Sequence, residues 1–214
     1  MKRIQSIFLV VCIFFAILSI GCAPRAVTLW NGKNFDGWTR VVADNTNVDG
    51  VWSVTDGVIH CIGVPNGYMR TDADYENYIL NLEWRWVGTG TNSGVFLHVE
   101  GPDKVWPNCF ECQLKSGNAG DFVIIGAGIL TVDGKRYDNA EGFMGIAKKQ
   151  ENSERPVGEW NSYRIECRGG SITSYVNGVL QNEATNASRT SGKIALQSEG
   201  GPIEYRNIRL EKIK

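Results

Sequence analysis

Residues 78–87 have the sequence YILNLEWRWV, and their alternation of apolar and polar side chains decides the class of fold. Leucine and tryptophan occupy the even positions from 80 to 86, while Asn81, Glu83 and Arg85 occupy odd positions between them. Successive side chains of a β-strand point to opposite faces of its sheet. The segment therefore predicts a strand that buries one side and shows a polar side.

The same alternation recurs in three further segments, at residues 92–99 (NSGVFLHV), 110–114 (FECQL) and 193–199 (KIALQSE). Their polar sides carry amides, carboxylates and an imidazole rather than the Lys, Thr and Ser of an ordinary solvated face. Planar polar groups suit sugar hydroxyls, and aromatic surface suits the faces of a sugar ring. We predict that all four polar sides lie on one sheet surface that faces a carbohydrate.

Strand patterns and turn signals continue along the chain. Asp-Gly at 56–57 and Asn-Gly at 177–178 mark tight hairpins, and no window has a convincing helical period. These features predict an all-β fold, a two-sheet antiparallel jelly-roll sandwich with one curved sheet facing a ligand. Residues 139–159 form the longest poorly patterned stretch and are predicted to be a surface excursion that could rim a site.

The N-terminus predicts export. Lys2 and Arg3 precede an apolar run over residues 7–18, which is short for a membrane span and typical of a signal peptide. Cys22 follows a small residue at the end of this run. We predict a lipoprotein signal peptide at 1–21 with Cys22 lipidated, a tether at 22–28 and one jelly-roll domain at 29–214. An uncleaved anchor, or cleavage near residues 23–26, is the alternative.

This N-terminus predicts a periplasmic or outer-membrane lipoprotein of a bacterium, with the membrane reached through the lipid anchor. The formal net charge of the full chain is −1, and loss of Lys2 and Arg3 leaves −3. Such a charge gives no basic footprint for nucleic acid, so a neutral substrate is the natural expectation. The remaining cysteines could form one disulfide or be small core residues: Cys61, Cys109, Cys112 and Cys167.

Motifs along nearly the whole mature chain resemble the 3-keto-disaccharide hydrolase domain family. They are LWNGKNFDGW (29–38), WSV (52–54), DGVI (56–59), EWR (83–85), NSGVF (92–96), ECQ (111–113), GEWNSYR (158–164), VNG (176–178) and IEYRNI (203–208). The resemblance implies a jelly roll of the concanavalin A-like lectin and glucanase type. It also implies an exported carbohydrate-active enzyme that cleaves the glycosidic bond of sugars oxidised at C3.

Three residues are the candidates for catalysis. Glu111 lies on a predicted strand where the next outward position is Gln113, so a second carboxylate must come from elsewhere, namely Glu83 or Glu199. His98 shares the polar side of its strand and titrates near neutrality, which suits proton transfer. We therefore predict Glu111, His98 and Glu199 as catalytic. A solvated Glu111 and a packed His98 are the structural alternatives.

Substrate contacts are predicted around these three residues. The set consists of one cationic residue, one acidic residue, three amides and one loop aromatic: Arg85, Asp121, Asn92, Gln113, Gln197 and Trp106. Arg85 could instead form an ion pair with Glu83 or Glu111, and Asp121 could simply cap a turn. No cofactor is evident, although a divalent cation could be held if Asp121, Glu111, Glu199 and His98 converge.

A carbonyl at C3 acidifies the proton on C2, so one base can start elimination of the C1 substituent, followed by addition of water. Direct hydrolysis through an oxocarbenium-like state is the competing mechanism. A different class of function also stays open, namely a non-catalytic, lectin-like carbohydrate-binding lipoprotein. A purely structural envelope domain would require loops to cover the polar faces.

Overall fold

The structure is a computed structural model that describes residues 26–43 and 47–213. The predicted signal peptide and Cys22 lie outside the described residues. The described chain contains seventeen strands: β1 (Ala26–Thr28), β2 (Trp38–Val42), β3 (Trp52–Thr55), β4 (Val58–Cys61), β5 (Gly67–Thr71), β6 (Tyr78–Trp86), β7 (Gly94–Glu100), β8 (Asn108–Gln113), β9 (Phe122–Ile125), β10 (Gly128–Val132), β11 (Lys135–Asn139), β12 (Phe143–Ile146), β13 (Asn161–Arg168), β14 (Ser171–Val176), β15 (Val179–Ala184), β16 (Lys193–Ser198) and β17 (Ile203–Lys212).

Fifteen of these strands form two antiparallel sheets. The front sheet has seven strands in the order β12-β9-β8-β7-β16-β5-β2. The back sheet has eight, in the order β15-β14-β13-β6-β17-β4-β3, with β1 paired to β17. Strands β10 and β11 form a separate hairpin. The predicted all-β jelly-roll sandwich is therefore confirmed, and the described ranges contain no α-helix.

The apolar sides of the two sheets meet in one core. Along β6 the even positions from Tyr78 to Trp86 are at most 2% exposed, whereas the odd positions are partly exposed. Inward residues of the front sheet, such as Leu97 and Leu196, belong to the same cluster. Because both sheets turn their apolar sides inward, their polar sides point to opposite surfaces of the molecule.

This arrangement corrects the prediction of one common polar surface. Strands β8, β7 and β16 are neighbours in the front sheet, but β6 pairs with β13 and β17 in the back sheet. The polar side of β6, including Arg85, therefore faces away from that of β8. The period of two determines which residues of a strand share a face, but it does not determine which sheet the strand joins.

The domain also begins earlier than predicted. Ala26–Thr28, assigned to the tether from sequence, pairs with β17 in the back sheet. The excursion at 139–159 contains β12, which pairs with β9 and forms one edge of the front sheet. The four cysteines of the described chain are buried free thiols. No helix in the described ranges is both long and apolar enough to cross a bilayer.

Candidate functional site

A cleft of about 400 Å³ lies on the outer face of the front sheet. We call it the polar cleft, and its lining is Asn92, Trp106, Glu111, Gln113, Val123, Phe143, Gly145, Gln197 and Glu199. Six of these nine residues were predicted from sequence as catalytic or substrate-binding. Glu111 and Gln113 lie on β8, and Gln197 lies on β16 with Glu199 directly after it. Asn92 precedes β7 and Trp106 follows it, so three consecutive strands of the front sheet and their ends bring the six together.

Strand register explains how the cleft is built. Glu111 and Gln113 occupy alternate outward positions of β8, opposite Phe96 and Gly94 of β7. The lack of a side chain at Gly94 is necessary here, because a Cβ at that position would collide with the Glu111 carboxyl group. The Glu111 side chain therefore lies over the glycine, across the face of the sheet.

Glu111 is the buried acid of the cleft. Its exposed fraction is 3%, and no protein donor in the described chain reaches its Oε1 atom. Burial, and to a smaller extent the negative charge of Glu199, together raise the pKa of Glu111 to about 8. At neutral pH the carboxyl group therefore holds its proton and can act as an acid.

Glu199 is the better solvated carboxylate of the pair. The Gln197 amide Nε2 donates to its Oε2 at 2.8 Å, and the Asn92 side chain forms a second hydrogen bond. Burial raises the pKa of Glu199, while these two hydrogen bonds and the Lys115 charge oppose that shift. Because Glu111 lacks such donors, Glu199 is the carboxyl that ionises first.

The amides that hold Glu199 leave their own oxygens unsatisfied. Asn92 Oδ1 and Gln197 Oε1 are buried, and no donor among the described residues reaches either atom. Gln113 is oriented the opposite way, since its Oε1 accepts from the backbone N–H groups of Leu114 at 3.0 Å and Lys115 at 2.9 Å. Its amide nitrogen is therefore left to donate. The cleft thus offers both acceptors and a donor to a polyhydroxylated ligand.

Two aromatic rings form the wall of the cleft. Trp106 and Phe143 meet edge to face, with ring centroids 5.2 Å apart and planes at 85°. Trp106 lies on the loop between β7 and β8, and Asp103 anchors this loop by accepting from Arg70 Nε at 2.7 Å and Arg70 Nη2 at 2.8 Å. Phe143 was not among the residues predicted from sequence, because the segment FMGI at 143–146 is short and has no alternation of apolar and polar residues.

The structure does not bring His98 into the cleft, which corrects the prediction of a catalytic imidazole. The β7–β8 register shifts between Leu97 and Glu100, and His98 has a φ of +53°. This bulge turns the ring into the sandwich, edge-on to Tyr78 at 6.0 Å, while its Nδ1 lies 3.1 Å from the Arg189 carbonyl oxygen. Burial lowers the pKa of His98 to about 4, so it is neutral.

Arg85 also lies outside the cleft, because it belongs to the outer face of the back sheet. Its Nε atom is 2.5 Å from Glu204, which also contacts His60 at 2.9 Å, and its guanidinium lies over Trp160. Arg85 therefore forms an ion pair, but its partner is Glu204 rather than the predicted Glu83 or Glu111. Glu83, the alternative second carboxylate, pairs with Arg206 on the same remote face.

Asp121 lies across from Gln113 but serves the turn that precedes β9. Its Oδ1 accepts from the Lys148 backbone N–H at 2.9 Å, and Oδ2 accepts from the Asn118 amide at 3.2 Å. With His98 turned inward and Asp121 engaged, the four suggested metal ligands do not converge. Within the described ranges, no group of three or more His, Cys, Asp or Glu side chains is placed to hold a metal ion.

A family model covers nearly all of the described chain. The model of the 3-keto-alpha-glucoside-1,2-lyase-like domain matches residues 25–211. The chain belongs to this family. The motifs quoted above predicted that the chain belongs to the 3-keto-disaccharide hydrolase domain family, and this prediction is confirmed. No curated protein is detectably similar in sequence to the chain.

Three solved structures share the jelly-roll fold of this chain. A candidate glycosyl hydrolase from Parabacteroides distasonis is 27% identical, with a TM-score of 0.64 over 88% of this chain and 100% of that one. A β-glucanase from Bacillus licheniformis is 15% identical, with a TM-score of 0.57 over 92% and 100%. The carbohydrate-binding module CBM66 from Bacillus subtilis is 13% identical, with a TM-score of 0.56 over 82% and 96%.

The two Bacillus structures show the fold alone. The family match and the Parabacteroides structure together support a carbohydrate-active function.

The buried acid predicts a pH-dependent stability. Because the pKa of Glu111 is about 8 when folded and 4.5 in its ordinary state, the folded chain keeps a proton that the unfolded chain loses between these values. The stabilising contribution of the protonated Glu111 side chain is complete below pH 4.5 and is lost as the pH rises through 8. As the pH rises from 5 to 9, we expect the free energy of unfolding of Glu111→Gln to increase by about 2–4 kcal/mol relative to that of wild type. Urea unfolding at each pH measures this difference.

The exposed Glu76 provides the control, since Glu76→Gln removes a carboxylate that is not buried. A stability difference between Glu111→Gln and wild type that does not change with pH would contradict the assignment of a buried, protonated Glu111.

Proposed function

We propose that the protein cleaves the glycosidic bond of 3-keto-glycosides in the polar cleft, with Glu111 and Glu199 as its catalytic pair. The observation that carries this proposal is the contrast between two carboxyl groups in one cleft. Glu111 is buried without a donor, and Glu199 is held by two amides. When the environments of two carboxyl groups separate their pKa values, the group with the higher pKa is assigned as the acid and the other as the base.

The chemistry of a 3-keto sugar needs only a few groups. The C3 carbonyl acidifies the C2 proton, so a carboxylate base can remove it and leave an enolate on O3. The enolate electrons then form the C1–C2 double bond as the C1–O bond breaks. The departing oxygen takes a proton from an acid, and water adds to the double bond in a later step.

The residues of the cleft divide these tasks. The Glu199 carboxylate is the base at C2, since hydrogen bonds from Gln197 and Asn92 favour its ionised form. Glu111 is the acid that protonates the departing oxygen. The Gln113 amide nitrogen donates to O3 and stabilises the enolate, because its own oxygen is fixed by two backbone N–H groups. Trp106 and Phe143 contact the ring faces.

The turnover test compares 3-keto-glucosides with the matching unoxidised glucosides, with and without a chelator. We expect cleavage of the keto substrates alone, because only their C2 proton is acidic enough for a carboxylate base. Rapid-quench trapping of a 2-hydroxyglucal-type product separates elimination from direct hydrolysis. Equal cleavage of both substrate classes would contradict the elimination mechanism, and loss of activity with chelator would add a divalent cation.

The alternative function is non-catalytic glycan binding, which the structural likeness to a carbohydrate-binding module favours. In that case the wild-type protein would bind an unoxidised glycan and turn over none of the keto substrates.

The two carboxyl roles predict different pH profiles. Glu111→Gln removes the acid and Glu199→Gln removes the base, so we expect each to lower kcat by roughly 10²–10⁴-fold, the usual contribution of one proton-transfer group. In wild type, kcat/KM should fall as pH rises through about 8, where Glu111 loses its proton. Steady-state kinetics check both effects, with Glu76→Gln as the matched control.

A leaving group that needs no protonation, such as a nitrophenolate, should restore much of the rate in Glu111→Gln but not in Glu199→Gln. Equal rescue of both variants would refute the division of roles.

We further propose that the protein is exported as a lipoprotein anchored through Cys22, on the basis of the N-terminal sequence alone. Expression of the full chain in a bacterium should place it in the membrane fraction with a lipid on its first mature residue. Cys22→Ala should abolish lipid labelling. Unchanged labelling or membrane recovery in Cys22→Ala would refute the anchor.

A further inference from the structure

A second cleft adjoins the polar cleft and shares its aromatic wall. This outer cleft has a volume of about 420 Å³, and Trp106 and Phe143 line it as well as the polar cleft. Its other lining includes Lys104, Asn108 and Glu141. The edge-to-face ring pair is therefore a ridge between two depressions of similar size.

One strand pair runs beneath both clefts. Val123 lines the polar cleft, and Ile125, two positions further along β9 on the same face, lines the outer cleft. Across the β9–β12 pairing, Val123 is opposite Gly145 and Ile125 is opposite Phe143. Residues two positions apart on a strand point to the same face of the sheet, so these two pairs lie side by side under that face. The two clefts are therefore successive sections of one groove.

The polar groups of the outer cleft point to a neutral ligand. Lys104 and Glu141 are both exposed, and neither forms an ion pair within the described ranges, so the cleft offers one charge of each sign. Phe143 is 58% exposed and provides apolar ring surface beside these groups. A ligand with many hydroxyl groups and one apolar ring face matches this combination better than an anion or a cation does.

We propose that the outer cleft binds the sugar ring that departs, and that Phe143 determines the preference for a sugar as leaving group. This inference rests on the proposed function, which places the oxidised ring in the polar cleft beside Glu111 and Glu199. The scissile bond then crosses the ridge formed by Trp106 and Phe143. The contribution of Phe143 depends on whether the substrate carries a second ring.

The kinetic test compares a 3-keto-disaccharide with the methyl 3-keto-glucoside, which lacks the second ring. Because Phe143 also lines the polar cleft, Phe143→Ala should lower kcat/KM on both substrates, but the loss should be at least tenfold greater for the disaccharide than for the methyl glycoside. The control is Val179→Ala, which truncates another exposed apolar side chain at the edge strand β15 of the back sheet. Equal losses on both substrates, or no loss on either, would overturn the proposal.

A binding test separates this proposal from the proposed function. Calorimetry on Glu111→Gln, with an unoxidised disaccharide and its methyl monosaccharide, should show tighter binding of the disaccharide, and Phe143→Ala should remove that preference. If wild type cleaves no keto substrate but this preference is found and is lost in Phe143→Ala, the catalytic function fails and the second subsite stands. If the disaccharide has no advantage, the subsite is refuted whatever the activity.

Discussion

The meeting of two apolar sheet faces in one core is the constraint on which the rest of the molecule depends. Residues from both sheets, including Trp84 and Leu97, pack in a single cluster. Each strand must therefore keep its period of two, or polar groups would enter the core. The same constraint leaves two outward faces with different compositions. On the back sheet Glu83 and Glu204 each pair with an arginine, whereas in the polar cleft of the front sheet neither carboxyl group forms an ion pair within the described chain.

That difference gives the front face its chemistry. On the back face, Arg85 and Arg206 neutralise Glu204 and Glu83. Glu111 has no such partner, and it is covered by its neighbours while facing the charge of Glu199. Burial of a carboxyl group without a compensating cation costs stability, and proteins keep such groups mainly at functional sites. The unpaired acid is thus the clearest physical difference between the two surfaces.

Much of the candidate site could be predicted from the sequence because it depends on local periodicity. Glu111 and Gln113 follow from the alternation of one strand, and Gln197 and Glu199 follow from another. The failures have a different origin. His98 alternates correctly in sequence, but a bulge with a left-handed backbone reverses its side, and no residue type nearby signals that bulge.

Long-range pairing caused the other errors. The pattern of β6 is as regular as that of β8, yet pairing with β13 and β17 places it in the other sheet. A pattern with period two contains no information about such partners. Phe143 was missed for a related reason, since its strand has only four residues and becomes recognisable through its pairing with β9.

The position of β12 at the edge of the front sheet divides the site into a fixed part and an adjustable part. Strands β8, β7 and β16 are paired on both sides, so Glu111 on β8 and Glu199 directly after β16 have a rigid support. Strand β12 is paired only with β9, so its side chains can change, or its backbone can shift, without disturbing a second neighbour. Divergence of substrate preference among relatives is therefore least costly on this strand, while the chemistry is retained at the centre of the sheet.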